Sequence, residues 1–231
     1  HFSTDVDCLM RLGLLIPSSN VVLEPLAVHL QTQTPSLTIH VARLGVLDIK
    51  LDAASRSQFE LDAQVTAAKL LCDANVDCIT WGGTSASWLG VAHDEAFVAR
   101  MEQETGMPTT TCVLDINNRL ANLDVRRLGL VTPYTNDVAA QINRNYTDMG
   151  FDVVASRNDG GTLSNDFAAI KSNVIAQMVQ EVATSKPDAI VIMCTNMAGA
   201  DIAAQLESDL GFPILDSASI TLACGVANQA S

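Results

Sequence analysis

Arg11-Leu-Gly-Leu-Leu-Ile-Pro17-Ser-Ser-Asn20 returns later in the chain as Arg127-Leu-Gly-Leu-Val-Thr-Pro133-Tyr-Thr-Asn136, at an offset of 116 residues. Arg, Leu, Gly, Leu, Pro and Asn recur in register. Two further pairs follow in the same order. Asp77-Cys-Ile-Thr-Trp-Gly-Gly83-Thr84-Ser85 matches Asp188-Ala-Ile-Val-Ile-Met-Cys194-Thr195-Asn196 at an offset of 111, and Gly106-Met-Pro108 matches Gly211-Phe-Pro213 at 105. The offset shrinks along the chain, as small loop deletions would make it. Three ordered matches define an internal repeat. The expected organisation is two homologous lobes, residues 9–122 and 123–231.

Around the repeat, short apolar runs alternate with helical spacing. The first lobe is expected to place strands at 11–16, 37–42, 77–81 and 108–113, with helices at 20–31, 57–73 and 92–104. The second is expected to place strands near 127–132, 151–155, 188–193 and 213–216. Its helices fall near 136–149, 165–184, 198–209 and 217–228. Unbroken apolar runs such as Ala189-Ile-Val-Ile-Met193 suit strands covered on both faces. Alternating strands and helices imply an α/β architecture of two pseudo-symmetric, doubly wound lobes, each with a four-stranded parallel sheet. Ligands in such sheets bind beyond the carboxyl ends of the strands. Four segments are singled out by that rule: 17–20, 83–85, 133–136 and 194–196. A pseudo-twofold axis would bring all four to one cleft.

Composition narrows the chemistry. The 231 residues are 48% hydrophobic and 17% charged, enough for a substantial core. Thirteen basic against 26 acidic residues give a formal charge of −13, which argues against nucleic acid and against anionic membranes. No apolar run is long enough to cross a bilayer. The opening, HFSTDVDCLM, lacks the basic and apolar regions of a secretory signal, and its first residue is His, so a trimmed native start is expected. Six cysteines (Cys8, Cys72, Cys78, Cys112, Cys194, Cys224) and four single histidines form no CxxC or zinc pattern. A cytoplasmic protein with reduced thiols, no metal and no cofactor is expected; a homo-oligomer is left open.

Cys194 is the leading chemical candidate. It ends an apolar strand and precedes Thr195-Asn196-Met-Ala-Gly199, expected to open a helix whose dipole favours thiolate. Such a cysteine can give or take a proton. Gly83-Thr84-Ser85 offers amides and hydroxyls to a carboxylate or enolate, or alternatively caps a helix. Tyr134 and Thr135 add a phenol and a hydroxyl; Asn136 equally reads as a cap. Pro17, Ser18, Ser19 and Asn20 read the same way. Ser/His/Asp catalysis is poorly supported, because His29 and His93 fall in helices, His40 in a strand, and no G-x-S-x-G elbow exists. Asp159-Gly160-Gly161-Thr162 lacks the lysine of a phosphate loop and reads as a turn.

Gly83-Thr84-Ser85-Ala86-Ser87-Trp88, Val131-Thr-Pro-Tyr134-Thr135-Asn-Asp137 and the strand-end Cys194 resemble the aspartate/glutamate racemase superfamily. They look like its branch containing arylmalonate decarboxylase, maleate cis-trans isomerase and the ectoine-utilisation protein EutA. Pro17-Ser-Ser-Asn20 resembles the isomerase and EutA pattern, and Cys194-Thr-Asn-Met the EutA form. The resemblance implies cofactor-free lyase or isomerase chemistry beside a carboxylate. It implies dioxyanion binding by Thr84, Ser85, Tyr134 and Thr135, and protonation by Cys194. Asn20 would hold a second carboxylate, with Pro17, Gly83 and Thr195 lining the substrate site. Racemases and isomerases of this kind use two cysteines, whereas this chain has Gly83 at the first place. The expected activity is therefore decarboxylation of a malonate-type substrate through an enediolate. Isomerase-like or racemase-like chemistry and non-catalytic carboxylate binding are the alternatives. On this reading a cysteine at position 83 adds a second acid. Trp81, Trp88 and Leu89 are candidates for lining the substituent pocket.

Overall fold

The computed structural model describes residues 10–227; Cys8 lies outside them, and the Cys224 side chain is likewise not described. The first half builds a parallel sheet from β1 (Met10–Pro17), β2 (Leu37–Leu44), β3 (Cys78–Trp81) and β4 (Thr109–Thr111), in the spatial order β2-β1-β3-β4. The second half repeats it with β5 (Arg127–Tyr134), β6 (Asp152–Gly161), β7 (Ala189–Ile192) and β8 (Ile214–Asp216), ordered β6-β5-β7-β8. Identical order and all-parallel pairing confirm the doubly wound pair of lobes. The central strands β3 and β7 are buried along their whole length, as their apolar runs require.

The repeated residues have repeated physical work. Asp77 Oδ2 accepts from the Arg11 amide at 2.7 Å, and Asp188 Oδ2 from the Arg127 amide at 2.8 Å. Each carboxylate thereby pins the start of a first strand beside the start of a third. Gly106 and Gly211 end α5 (Val91–Thr105) and α10 (Ala200–Leu210) at φ 69° and 78°, a conformation glycine adopts without steric cost.

Several boundaries differ from the expected ones. The 20–31 helix is α1 (Leu23–Gln33). The 57–73 helix divides into α2 (Ala53–Ser57) and α3 (Leu61–Cys72), and 165–184 into α8 (Ser164–Phe167) and α9 (Ser172–Ala183). Residues 86–89 form a short α4 before α5. The expected strand 108–113 stops at Thr111, because Thr111 Oγ1 accepts from the Leu114 amide and opens α6 (Cys112–Asn122). This helix is the counterpart of α11 (Ser217–Ala227), one from each half. The two pack against one another, and α11 also lies against α1, β1 and β3 of the first half. The Cys112 thiol donates to Ser217 O at 3.4 Å where they meet. Between α7 (Asn136–Asp148) and α6, the Tyr146 phenol donates to Asn117 Oδ1 at 3.1 Å. The halves thus share helices, and one apolar core runs from β1 and α3 through β5 and β7 to α9. No helix among the described residues is long and apolar enough to cross a membrane.

Candidate active site

The segments that follow β1, β3 and β7, together with the end of β5, converge on one cavity. Pro17, Asn20, Gly83, Thr84, Ser85, Tyr134, Cys194 and Thr195 line it. Of the nine residues to which the resemblance gives a place in the site, eight are therefore brought together and Thr135 is the exception. Tyr134 ends β5 with its side chain turned into the cavity, and alternation along the strand turns the next residue away. The Thr135 hydroxyl donates instead to Asp137 Oδ1 at 2.5 Å.

Hydrogen bonds across the cleft fix the polar wall. The Thr84 and Tyr134 hydroxyls are 2.8 Å apart, joining the lobes. Neither hydroxyl of the Gly-Thr-Ser turn caps α4: Ser85 occupies the cap position without a side-chain bond, and its Oγ accepts from Trp81 Nε1 at 3.3 Å. Asn20 uses Oδ1 to accept from the Val22 and Leu23 amides, both at 3.0 Å, at the start of α1. Its Nδ2 donates to Thr195 Oγ1 at 3.1 Å, and Thr195 donates to Gly82 O at 2.8 Å. The Thr195 hydrogen is thus committed to the protein, whereas Asn20 retains one amide hydrogen for a ligand.

Cys194 is buried. It precedes a turn, and α10 begins only at Ala200, so the expected helix N-terminus is displaced by several residues. Burial raises the thiol to about 11, although the Tyr134 phenol and the Asn196 and Met197 amides pull the other way. The Asn196 amide donates to Sγ at 3.4 Å. Desolvation therefore outweighs the local dipoles expected to favour thiolate, and the shift toward the protonated thiol suits the proton-donor role expected from the resemblance. Burial also pushes the Tyr134 phenol well above its ordinary value.

Sequence reasoning missed the roof. Residues 47–49 pair with 162–164: the Ile49 amide donates to Thr162 O at 3.0 Å and the Ser164 amide to Leu47 O at 3.1 Å. The segment expected to be a plain turn, 159–162, is the end of β6 leading into this clasp. Asn196 ties it to the floor: Nδ2 donates to Ser164 O at 2.6 Å and Ser19 O at 3.3 Å, while Oδ1 accepts from the Val21 amide at 2.9 Å. Asn196 lies in the strand-end segment 194–196 singled out from sequence, and the repeat pairs it with Ser85, but neither reveals its role as a tie. Phe59, Trp88, Tyr134 and Phe167 meet edge to face in a row, with centroids 6.0, 5.1 and 5.4 Å apart. Trp81 and Trp88 line the cavity as expected, whereas Leu89 packs into the core instead.

The lining has no Lys, Arg, His, Asp or Glu, so an anion here meets neutral donors only. Among the described residues, no group of three or more His, Cys, Asp or Glu could hold a metal ion. The cavity is small, about 30 Å³, room for about one water.

Two repeated α/β lobes closed on a buried thiol, a cross-lobe hydroxyl pair and a neutral donor set define an enzyme of the lyase or isomerase kind. A sequence profile described as arylmalonate decarboxylase matches residues 12–229. The chain belongs to that family. It is 26% identical over 160 residues to arylmalonate decarboxylase of Bordetella bronchiseptica, covering 68% of this chain and 67% of that one. It is 23% identical over 223 residues to maleate isomerase of Nocardia farcinica, covering 91% and 86%. Among solved structures, a cysteine-to-serine variant of the Nocardia farcinica maleate cis-trans isomerase, holding a covalently bound succinylcysteine intermediate, superposes with a TM-score of 0.85. It is 19% identical, and the match spans 96% of this chain and 93% of that one.

Proposed function

We propose that the protein is a cofactor-independent, decarboxylase-like enzyme acting on a small malonate-type dicarboxylate through an enediolate. The observation that carries this reading is a single protonated thiol, Cys194, whose counterpart in the other lobe is Gly83. One acid protonates one face of a planar intermediate; racemisation needs two groups on opposite faces.

Loss of CO2 breaks the bond between the α-carbon and one carboxyl carbon. The electron pair remains on the enediolate formed with the other carboxylate. Within the Thr84–Tyr134 pair one hydroxyl donates to the other, so one hydrogen remains for an enediolate oxygen. Ser85 accepts from Trp81, which leaves its own hydrogen to be donated. Asn20 supplies its remaining amide hydrogen to a carboxylate. The Cys194 S–H proton passes to the α-carbon, and the thiolate left behind recovers a proton from water. Phenylmalonate is the test substrate: CO2 release that disappears in Cys194→Ala supports the reading, and an inert wild type opposes it.

The likeness to maleate isomerase over 91% of the chain favours a second reading, isomerisation of a cis-dicarboxylate with Cys194 adding to an alkene carbon. Fumarate formation from maleate, followed alongside CO2 release, discriminates the two. Tight carboxylate binding with neither activity would identify a binding protein.

A further inference from the structure

Trp81 is the last residue of β3 and is almost completely buried. Its indole folds over Gly83, two residues on. A Cβ placed on Gly83 would stand 2.4 Å from Trp81 Cζ2, 2.5 Å from Cε2 and 2.8 Å from Nε1. No real Cβ tolerates those distances, and a fused ring cannot yield as the end of a flexible chain does. The ring is held from two sides, by Ser85 Oγ at 3.3 Å and by Phe97 with centroids 6.5 Å apart.

The repeat shows what this displaces. Trp81 and Gly83 correspond to Ile192 and Cys194. In the second lobe a slim aliphatic residue ends the strand and the reactive thiol follows two positions later. In the first lobe the bulk sits at the strand end, and the later position has no side chain. Both members of each pair except Ile192 line the same cavity.

We propose that Trp81 is the residue that restricts this site to a single acid: its indole fills the place of a first-lobe thiol and walls off the face of the intermediate opposite Cys194. The proposal rests on the functional reading above and adds its stereochemical determinant. It also corrects the expectation that Gly83→Cys alone installs a second acid, because the thiol has nowhere to stand while the indole remains.

The test rebuilds the first lobe as a copy of the second. Gly83→Cys alone is expected to lower Tm by roughly 5 °C or more through overpacking. Adding Trp81→Ile is expected to restore much of that loss, so the two substitutions are non-additive. The double variant, incubated with each enantiomer of 2-phenylpropanoate in D2O, is expected to exchange the α-hydrogen of both. Gly83→Cys alone should fall about 10²-fold short of it. If neither variant carrying Gly83→Cys folds, Trp81→Ile alone decides. With the wall removed, water reaches the open face, and 2-methyl-2-phenylmalonate should give a product of reduced enantiomeric excess. The proposal is overturned if Gly83→Cys is as stable as the wild type, if it exchanges both enantiomers as fast as the double variant, or if Trp81→Ile leaves the enantiomeric excess unchanged. Failure of the functional reading looks different. The wild type then releases no CO2 from phenylmalonate, and the Tm comparison still decides whether the indole occupies the thiol's place.

Discussion

The hydroxyls of Thr84 and Tyr134, 50 residues apart in sequence and in different lobes, meet at 2.8 Å inside the cavity. The bond forms only when the two strand ends face each other, so the lobes assemble this polar wall of the cavity jointly. Tyr134 is also seated between Trp88 and Phe167, edge to face with both, which fixes where its oxygen points.

Tyr134→Phe keeps this aromatic packing and deletes the phenol. If the pair donates to an enediolate, kcat should fall by about 10²–10³, the cost of one oxyanion donor. Thr84→Val should act similarly. The double variant should lose more than either single one but less than their sum, because each single variant keeps one hydroxyl hydrogen and loses only the partner that positions it. Steady-state kinetics on phenylmalonate measure this; additive losses would show the two hydroxyls working separately.

The fold and most of the site were legible because the chain is written twice, and because strand ends are where α/β sheets bind ligands. Four things were not legible. The aim of Thr135 depends on whether Tyr134 is the last residue of β5 to face inward, a matter of one position. Helix α6 was hidden because Thr109-Thr110-Thr111-Cys112-Val113 continues a β-branched run, and only the Thr111 cap ends the strand. The clasp joins residues 47–49 to 162–164 by backbone bonds, which leave no side-chain pattern to read. The rotamer of Trp81 against Gly83 is likewise a packing outcome that no spacing reveals.

Asn196 holds that clasp to the floor through Ser164 O and Ser19 O. Asn196→Ala leaves these carbonyls and the Val21 amide without their partner. Amide exchange at Ile49 and Ser164 should speed up, while α9 and β7 remain protected. KM should rise together with a fall in kcat, because Ile49 and Ser164 of the clasp line the cavity. Unchanged exchange at both amides would mean that the clasp holds without Asn196.

Asp216 ends β8 with Oδ1 accepting from the Ser219 amide at 2.8 Å and from its hydroxyl at 2.9 Å. Oδ2 is buried without a partner. Burial raises the carboxyl from 3.8 to about 6. Between those values the folded state binds more protons than the unfolded one, so stability falls as pH rises through that window. Asp216→Asn keeps an oxygen for Ser219 and removes the buried charge. Its stability relative to wild type, followed through Tm, should climb between pH 4 and pH 6 and level off above, by on the order of 2–3 kcal/mol at most. A difference in Tm that does not change with pH would place the titration elsewhere.

Cys194 gives the sharpest pH prediction, because a proton donor must hold its proton at working pH. Its value of about 11 stands above the ordinary thiol value of 9.0. Three consequences share this origin. Iodoacetamide should alkylate Cys194 slowly at pH 7, since only the thiolate reacts. The rate of protonation should be flat through neutral pH and fall as pH rises through about 11. The folded state binds more protons than the unfolded one between 9.0 and about 11, so this thiol's contribution to stability is full below that window and lost across it. Cys194→Ala removes the thiol's share of the pH dependence and should lower kcat by about 10²–10⁴, the range of general acid catalysis. Rapid alkylation at pH 7 would mean that Cys194 rests as a thiolate, the state suited to attacking an alkene carbon, and would move the assignment from decarboxylase to isomerase.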